Sequence, residues 1–153
     1  MKALENKIPP PIIAVLLAFA MWCSSFVTPT LEVNVTTREL ISLVILVLGF
    51  LFCLAGIVSF RKAKTTINPL KPEEASSLVS NGIYKITRNP MYVGFVFGLL
   101  AWGVYLSSPI AFVGVVVFVW YITRFQIIPE ERVLTEIFSP EYSHYQAKVR
   151  RWL

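Results

Sequence analysis

Charge is scarce in this chain of 153 residues. Only 15% of it is Asp, Glu, Lys or Arg, while 56% is hydrophobic and the mean hydropathy is +0.65. A soluble domain carries about 25% charged residues, so this chain has too little polar material to coat several buried helices. Histidine is nearly missing: with His144 alone, a histidine-based metal site or catalytic triad has no material. The two cysteines, Cys23 and Cys53, both fall inside apolar runs. They read as small membrane hydrophobes rather than a disulfide or a metal pair. No nucleic-acid-binding motif is present.

What the chain has instead is long apolar runs. Pro9–Val27, Leu40–Phe60, Pro90–Leu106 and Pro109–Ile128 contain no acidic residue, and Arg124 is their only basic one. Each approaches the roughly 17–25 residues that cross a bilayer core. The first is long for the apolar core of a signal peptide, and no clear small-x-small cleavage site follows it, so it is read as a retained helix. The expected fold is therefore all-α: an integral membrane bundle of four transmembrane helices (about 9–27, 40–60, 90–106 and 109–128) in one domain, 1–153.

The basic residues orient the bundle. Arg61, Lys62, Lys64, Lys71, Lys85 and Arg88 lie between runs two and three. Arg132, Lys148, Arg150 and Arg151 follow run four, Lys2 and Lys7 precede run one, and only Arg38 lies in the loop after it. With both termini cytoplasmic, the positive-inside rule is satisfied. The net charge of +5 then answers to topology and anionic lipid, which makes the bilayer the expected partner. The small size and the lack of a targeting segment lean towards a bacterial inner membrane.

Small residues recur where helices would meet. Gly49, Cys53 and Gly56 lie in run two, and Gly94 and Gly98 form a GxxxG in run three. This spacing lets helix backbones approach in a membrane. Only Ser107 and Ser108 separate runs three and four, which forces a tight antiparallel hairpin.

Two polar regions, 61–89 and 129–153, would share the cytoplasmic face. Glu73–Val79 has the makings of a short surface helix. Glu130–Phe138 reads as helical. Glu141–Trp152 puts Tyr142, Tyr145, Val149 and Trp152 on one face, the pattern of a helix lying in the interface.

Chemistry concentrates at the ends of the apolar runs. Asn89-Pro90 reads as a helix start, because Asn is a good N-cap and Pro suits the first helical position. Free N–H groups at that end favour an anion such as a carboxylate, and Arg88 adds a guanidinium able to clamp it. Tyr92 sits one turn in, and Tyr84 lies just upstream. The alternative for these residues is plainer: Arg88 as a topology charge and the tyrosines as an aromatic belt. Glu130 and Glu131 open a helix after Pro129. A carboxylate there can hold a ribose hydroxyl or an ammonium group, or simply pair with Arg124 and Arg132.

The stretch NGIYKITRNPMYVG (Asn81–Gly94), followed by PEERVLTEIFSPEYSHYQAKVRRW (Pro129–Trp152), resembles the C-terminal half of the isoprenylcysteine carboxyl methyltransferase family. It is also similar to the related phospholipid N-methyltransferases. The resemblance covers about Leu78–Trp152. It implies S-adenosylmethionine as cofactor, with S-adenosylhomocysteine as product. By the same resemblance Leu78, Val79, Tyr84, Asn89, Pro90, Met91, Tyr92 and Glu130 are cofactor contacts, and Gln126 falls where a substrate-contacting arginine is expected. Two departures matter. Asn89 stands where the family has histidine and cannot titrate near pH 7. Gln126 lacks the charge that would pair with a substrate carboxylate, although Arg124 lies near. Both weigh against a prenylcysteine carboxylate as acceptor. Glu131, or a water, is a candidate to accept a proton from an amine acceptor. The expected activity is methyl transfer to a lipophilic or membrane-embedded carboxylate, thiol or amine. The competing expectation is a non-enzymatic membrane protein, a transporter subunit or scaffold. Against a transporter, the helix centres carry no charge.

Overall fold

A computed structural model describes residues 5–63 and 76–153. Among the described residues all regular structure is helical. The main helices are α1 (Pro10–Ser25), α2 (Val35–Ala63), α3 (Pro90–Leu106), α4 (Phe112–Ile122), α5 (Ile128–Phe138) and α6 (Glu141–Lys148). Short 3-10 turns occupy Gly82–Lys85 and Pro109–Ala111, and a π-helical segment, Thr123–Ile127, joins α4 to α5.

The third expected run keeps its limits, but the others shift. Helix α2 begins five residues before the apolar run, because Asn34 caps it: its Oδ1 accepts from the backbone N–H groups of Thr36 (3.0 Å) and Thr37 (3.3 Å). The fourth run passes through the π segment and does not stop at Ile128, where α5 begins and carries the helix on to Phe138. Among the described residues, two helices are long and apolar enough to cross a membrane, Val35–Ala63 and Pro109–Phe138, whereas Pro10–Ser25 and Pro90–Leu106 are shorter apolar helices. At 1.5 Å per residue, the 16 residues of α1 span about 24 Å. Helix α2 is apolar all round, and Val44, Phe50 and Leu40 are about 60% exposed. A helix of that kind needs an apolar surrounding.

The core lies between α1, α3 and α4. Phe118, Ile122 and Ile127 are fully enclosed, together with Leu99, Val115, Ala111 and Met21. Gly114 lets Met21 in, since a Cβ there would meet its Cγ at 2.6 Å. The Trp102 indole N–H donates to the Ala18 carbonyl at 3.0 Å and ties α3 to α1.

On its other side α3 packs against α2. A Cβ on Gly94 would strike Cys53 Sγ and the Gly49 carbonyl, and one on Gly49 would lie 2.8 Å from the Gly94 carbonyl. The GxxxG expectation is thus met at Gly94 and not at Gly98, where a Cβ would meet nothing within 4 Å. The α3–α4 hairpin turns at Ser107, which adopts φ 51°. Its carbonyl accepts from Leu31 N at 2.8 Å.

Two expectations for the polar regions change. Of the surface helix at Glu73–Val79, residues 73–75 lie outside the described residues, and Ser76–Val79 is not helical. The C-terminal segment is not one interfacial helix. Helix α6 ends at Lys148, and Val149 is extended (φ −121°, ψ 134°). Tyr142 is buried at 3% exposure. The chain after α6 turns inward because buried donors upstream take its carbonyls, as the site shows.

Candidate functional site

Proline punctuation builds the site. Pro90 occupies the first turn of α3. Its φ is preset for a helix and its missing N–H costs nothing there. Asn89 precedes the helix, but its side chain makes no cap hydrogen bond. Its Nδ2 instead donates to the Arg151 carbonyl at 2.9 Å. The expected side-chain cap is thereby corrected: no side-chain hydrogen bond caps the first turn of α3.

Pro129 acts at the other end. It has no N–H for the carbonyl of Phe125, one turn back, so the helical ladder is interrupted there. That carbonyl accepts Asn6 N at 3.0 Å, which meets the demand that buried backbone groups be satisfied. The irregularity takes the form of the π segment, a feature frequent at functional sites.

The consequence is a buried polar contact between helices. The Tyr92 hydroxyl donates to Glu130 Oε1 at 2.7 Å, and Gln126 Nε2 donates to the same oxygen at 2.8 Å. Tyr92 and Gln126 are 7% and 2% exposed. Residues from α3, the π segment and α5 therefore converge on one carboxylate.

The second carboxylate behaves differently. Arg88 Nη2 donates to Glu131 Oε1 at 2.7 Å. Arg151 donates through Nε to Oε1 at 3.0 Å and through Nη2 to Oε2 at 2.7 Å. Arg88 Nη1 meets the carbonyls of Gln146 (3.1 Å) and Val149 (3.2 Å), and Arg88 N donates to the Arg150 carbonyl at 2.9 Å. The carboxylate that Arg88 clamps is thus the chain's own. Glu131, expected as a proton acceptor, is saturated by three charged donors and serves as an anchor.

The other candidates fall around this centre. Tyr84 is buried with its ring edge-on to Phe60 at 5.5 Å, and its carbonyl accepts from the Tyr145 hydroxyl at 2.6 Å. Burial pushes the phenols of Tyr84, Tyr142 and Tyr145 well above their ordinary value, so Tyr145 stays a donor. Val79 is buried and Leu78 half-buried on the approach to the 3-10 turn. Met91 packs against Gly56, where a Cβ would lie 2.8 Å from its Cγ. Arg124 is drawn elsewhere: its Nη1 pairs with Glu5 at 3.5 Å, beside Arg132 at 3.4 Å from the same carboxylate. The alternative pairing of Arg124 and Arg132 with the Glu130–Glu131 pair is replaced by this one.

Sequence reasoning missed Thr87, Arg151 and Trp152. Thr87 is completely buried and donates to the Arg151 carbonyl at 3.1 Å. Trp152 Nε1 donates to Thr123 Oγ1 at 3.2 Å. The only available signal was Arg and Trp ending an otherwise ordinary basic segment.

Comparison with known proteins gives this arrangement a family. The pattern for phospholipid methyltransferases matches residues 37–141, from α2 to the start of α6. The chain belongs to the phospholipid methyltransferase family. Among its relatives, an uncharacterised protein of Haemophilus influenzae is 44% identical over 63 residues, 41% of this chain and all of that one. Protein-S-isoprenylcysteine O-methyltransferase B of Arabidopsis thaliana is 30% identical over 107 residues, 70% of this chain and 54% of that protein. Methanethiol S-methyltransferase of Pseudomonas deceptionensis is 34% identical over 108 residues, 69% of this chain and 38% of that protein. The chain therefore spans about half, or less, of the length of these two named methyltransferases. No solved structure matches it. The family match includes Tyr92, Gln126, Glu130 and Glu131 but stops short of Arg151.

Proposed function

We propose that this chain of the phospholipid methyltransferase family transfers the methyl group of S-adenosylmethionine to a lipophilic acceptor and releases S-adenosylhomocysteine. The observation that carries this reading is the convergence of Tyr92 and Gln126 on Glu130 near the first turn of α3, which no side chain caps. The donor set suits the cofactor's chemistry. A helix N-terminus, with first-turn N–H groups that lack intrahelical partners and a favourable dipole, accommodates a carboxylate. A buried carboxylate accommodates an ammonium or ribose hydroxyl. Asn89, Pro90, Met91 and Tyr92 are assigned to the first role and Glu130 to the second, with Leu78, Val79 and Tyr84 lining the approach. Arg88 supports the segment rather than touching the ligand.

When bound, the cofactor supplies a sulfonium-activated methyl group. The residues supply orientation, and for well-aligned pairs effective molarities reach about 10⁵–10⁸ M. The exposed apolar faces of α1 and α2 supply the environment from which a lipophilic acceptor enters, and burial keeps water from the reacting atoms. Gln126 is neutral and its amide is engaged by Glu130, while Arg124 is paired with Glu5. This favours a thiol or amine over a carboxylate as the acceptor group. In this reading the bundle crosses the membrane four times, with both ends and the site at the cytoplasmic face of a bacterial inner membrane, which the distribution of Lys and Arg supports.

Calorimetric titration of the detergent-solubilised protein with S-adenosylmethionine and S-adenosylhomocysteine tests the proposal. Saturable binding that disappears in Glu130→Ala is expected. A folded protein that binds neither compound would overturn it.

A further inference from the structure

The pieces of the site are far apart in the chain, and one residue spans them. The Arg151 guanidinium grips Glu131 with two donors, 3.0 and 2.7 Å from its two oxygens. The carbonyl of the same residue accepts from Thr87 Oγ1 at 3.1 Å and from Asn89 Nδ2 at 2.9 Å. Thr87 Oγ1 in turn accepts from Asn89 N at 3.2 Å. The next residue, Trp152, reaches Thr123 in the π segment. Arg151 therefore joins the segment that opens α3 to the helix that carries Glu130.

We propose that Arg151 is a positioning residue, which sets the separation between the first turn of α3 and Glu130 and thereby the affinity for the cofactor. The inference rests on the function proposed above. The Tyr92–Glu130 contact is a single hydrogen bond and does not by itself fix the angle between the two helices. A bidentate guanidinium on the neighbouring carboxylate removes that freedom, because the planar fork fixes direction as well as distance. Arg88 alone cannot do this, since it reaches Glu131 through one nitrogen. Removing the Arg151 side chain leaves the backbone carbonyl in place for Thr87 and Asn89, so the site should loosen rather than collapse. Lysine restores the charge but not the fork.

The experiment compares S-adenosylhomocysteine binding by calorimetry with thermal melting for the wild-type chain, Arg151→Ala, Arg151→Lys and Trp102→Phe. Trp102→Phe serves as a stability control, because it removes the bond to Ala18 far from the site. Loss of a charge-assisted contact should weaken binding about tenfold in Arg151→Ala. Arg151→Lys should recover the melting temperature while binding stays at least about threefold weaker than wild type. Trp102→Phe should melt earlier with unchanged affinity. An Arg151→Ala affinity within about twofold of wild type, or affinity that simply follows melting temperature across all variants, would overturn the inference while the proposed function stands. If the folded wild type binds nothing, the functional reading fails, and amide exchange still decides the positioning role. Exchange at Arg88 and Asn89, whose N–H groups donate to the Arg150 carbonyl and to Thr87 Oγ1, should quicken in Arg151→Ala and not in Trp102→Phe, and equal protection would refute it.

Discussion

Tyr92 and Glu130 meet at 2.7 Å across 38 residues of chain and the whole α3–α4 hairpin. This contact carries the first prediction. Tyr92→Phe keeps the ring and deletes one of the two donors to Glu130. A hydrogen bond to a charged group is worth about 1.5–3 kcal/mol, so cofactor affinity should fall by about 10- to 100-fold. Calorimetry with S-adenosylhomocysteine measures it, and an unchanged affinity would show that Tyr92 plays no part in shaping the site.

Glu130 and Glu131 are neighbours with different work, and their variants should separate. Glu131→Ala strands Arg88, whose side chain is 11% exposed. Breaking a buried pair by removing one partner costs about 3–5 kcal/mol. The protein should melt well below wild type. Glu130→Gln removes the carboxylate that the ligand would use and should lose binding with a much smaller effect on melting. If Glu131→Ala melts normally and only alters turnover, its role as an anchor is wrong.

The α2–α3 contact makes a paired prediction about glycines. Gly94→Ala must displace Cys53 or the Gly49 carbonyl, and overpacking of this kind costs about 1–3 kcal/mol. Gly98→Ala enters open space and should be neutral or slightly stabilising, since alanine favours a helix over glycine by about 0.5–1 kcal/mol. Thermal melting in one detergent compares them. Equal effects would contradict the packing.

Alkaline pH should open the site. Burial raises the phenols of Tyr84, Tyr142 and Tyr145 in the folded protein. An acid group whose folded value is raised contributes stability that is complete below its unfolded value, about 10, and lost as pH climbs above it. As far as these phenols govern it, melting temperature should therefore stay level below about pH 9.5 and fall above about pH 10. Tyr145→Phe should lower the neutral-pH value and shrink the alkaline fall, because it deletes both the titrating group and the 2.6 Å bond to the Tyr84 carbonyl. An alkaline fall of undiminished size in that variant would remove Tyr145 from the explanation.

The chain's own chemistry determined a good deal. Apolar runs without acidic residues give helices wherever they occur, because an apolar surrounding obliges the backbone to bond internally. Pro90 fixed the start of α3 to the residue, and the two serines after Leu106 fixed the hairpin. Residues that act through local backbone chemistry, such as Pro90, or through volume, such as Gly94, were legible for that reason.

What the tertiary structure decided is which polar group meets which. From sequence, Arg88 was an anion clamp, Asn89 a cap and Glu131 a proton acceptor, since each is chemically capable of it. In the folded chain Arg88 pairs with Glu131, and Asn89 turns to the Arg151 carbonyl. Buried polar atoms must find partners, and the nearest partners came from a C-terminal segment that sequence periodicity had assigned to the membrane interface. Periodicity registers faces of helices and is blind to a non-helical segment such as Val149–Trp152. The π segment was hidden for a related reason. Pro129 announces a lost hydrogen bond but not its accommodation by widening, which the tertiary contacts of the segment, Asn6 N on the Phe125 carbonyl and Trp152 on Thr123, accompany.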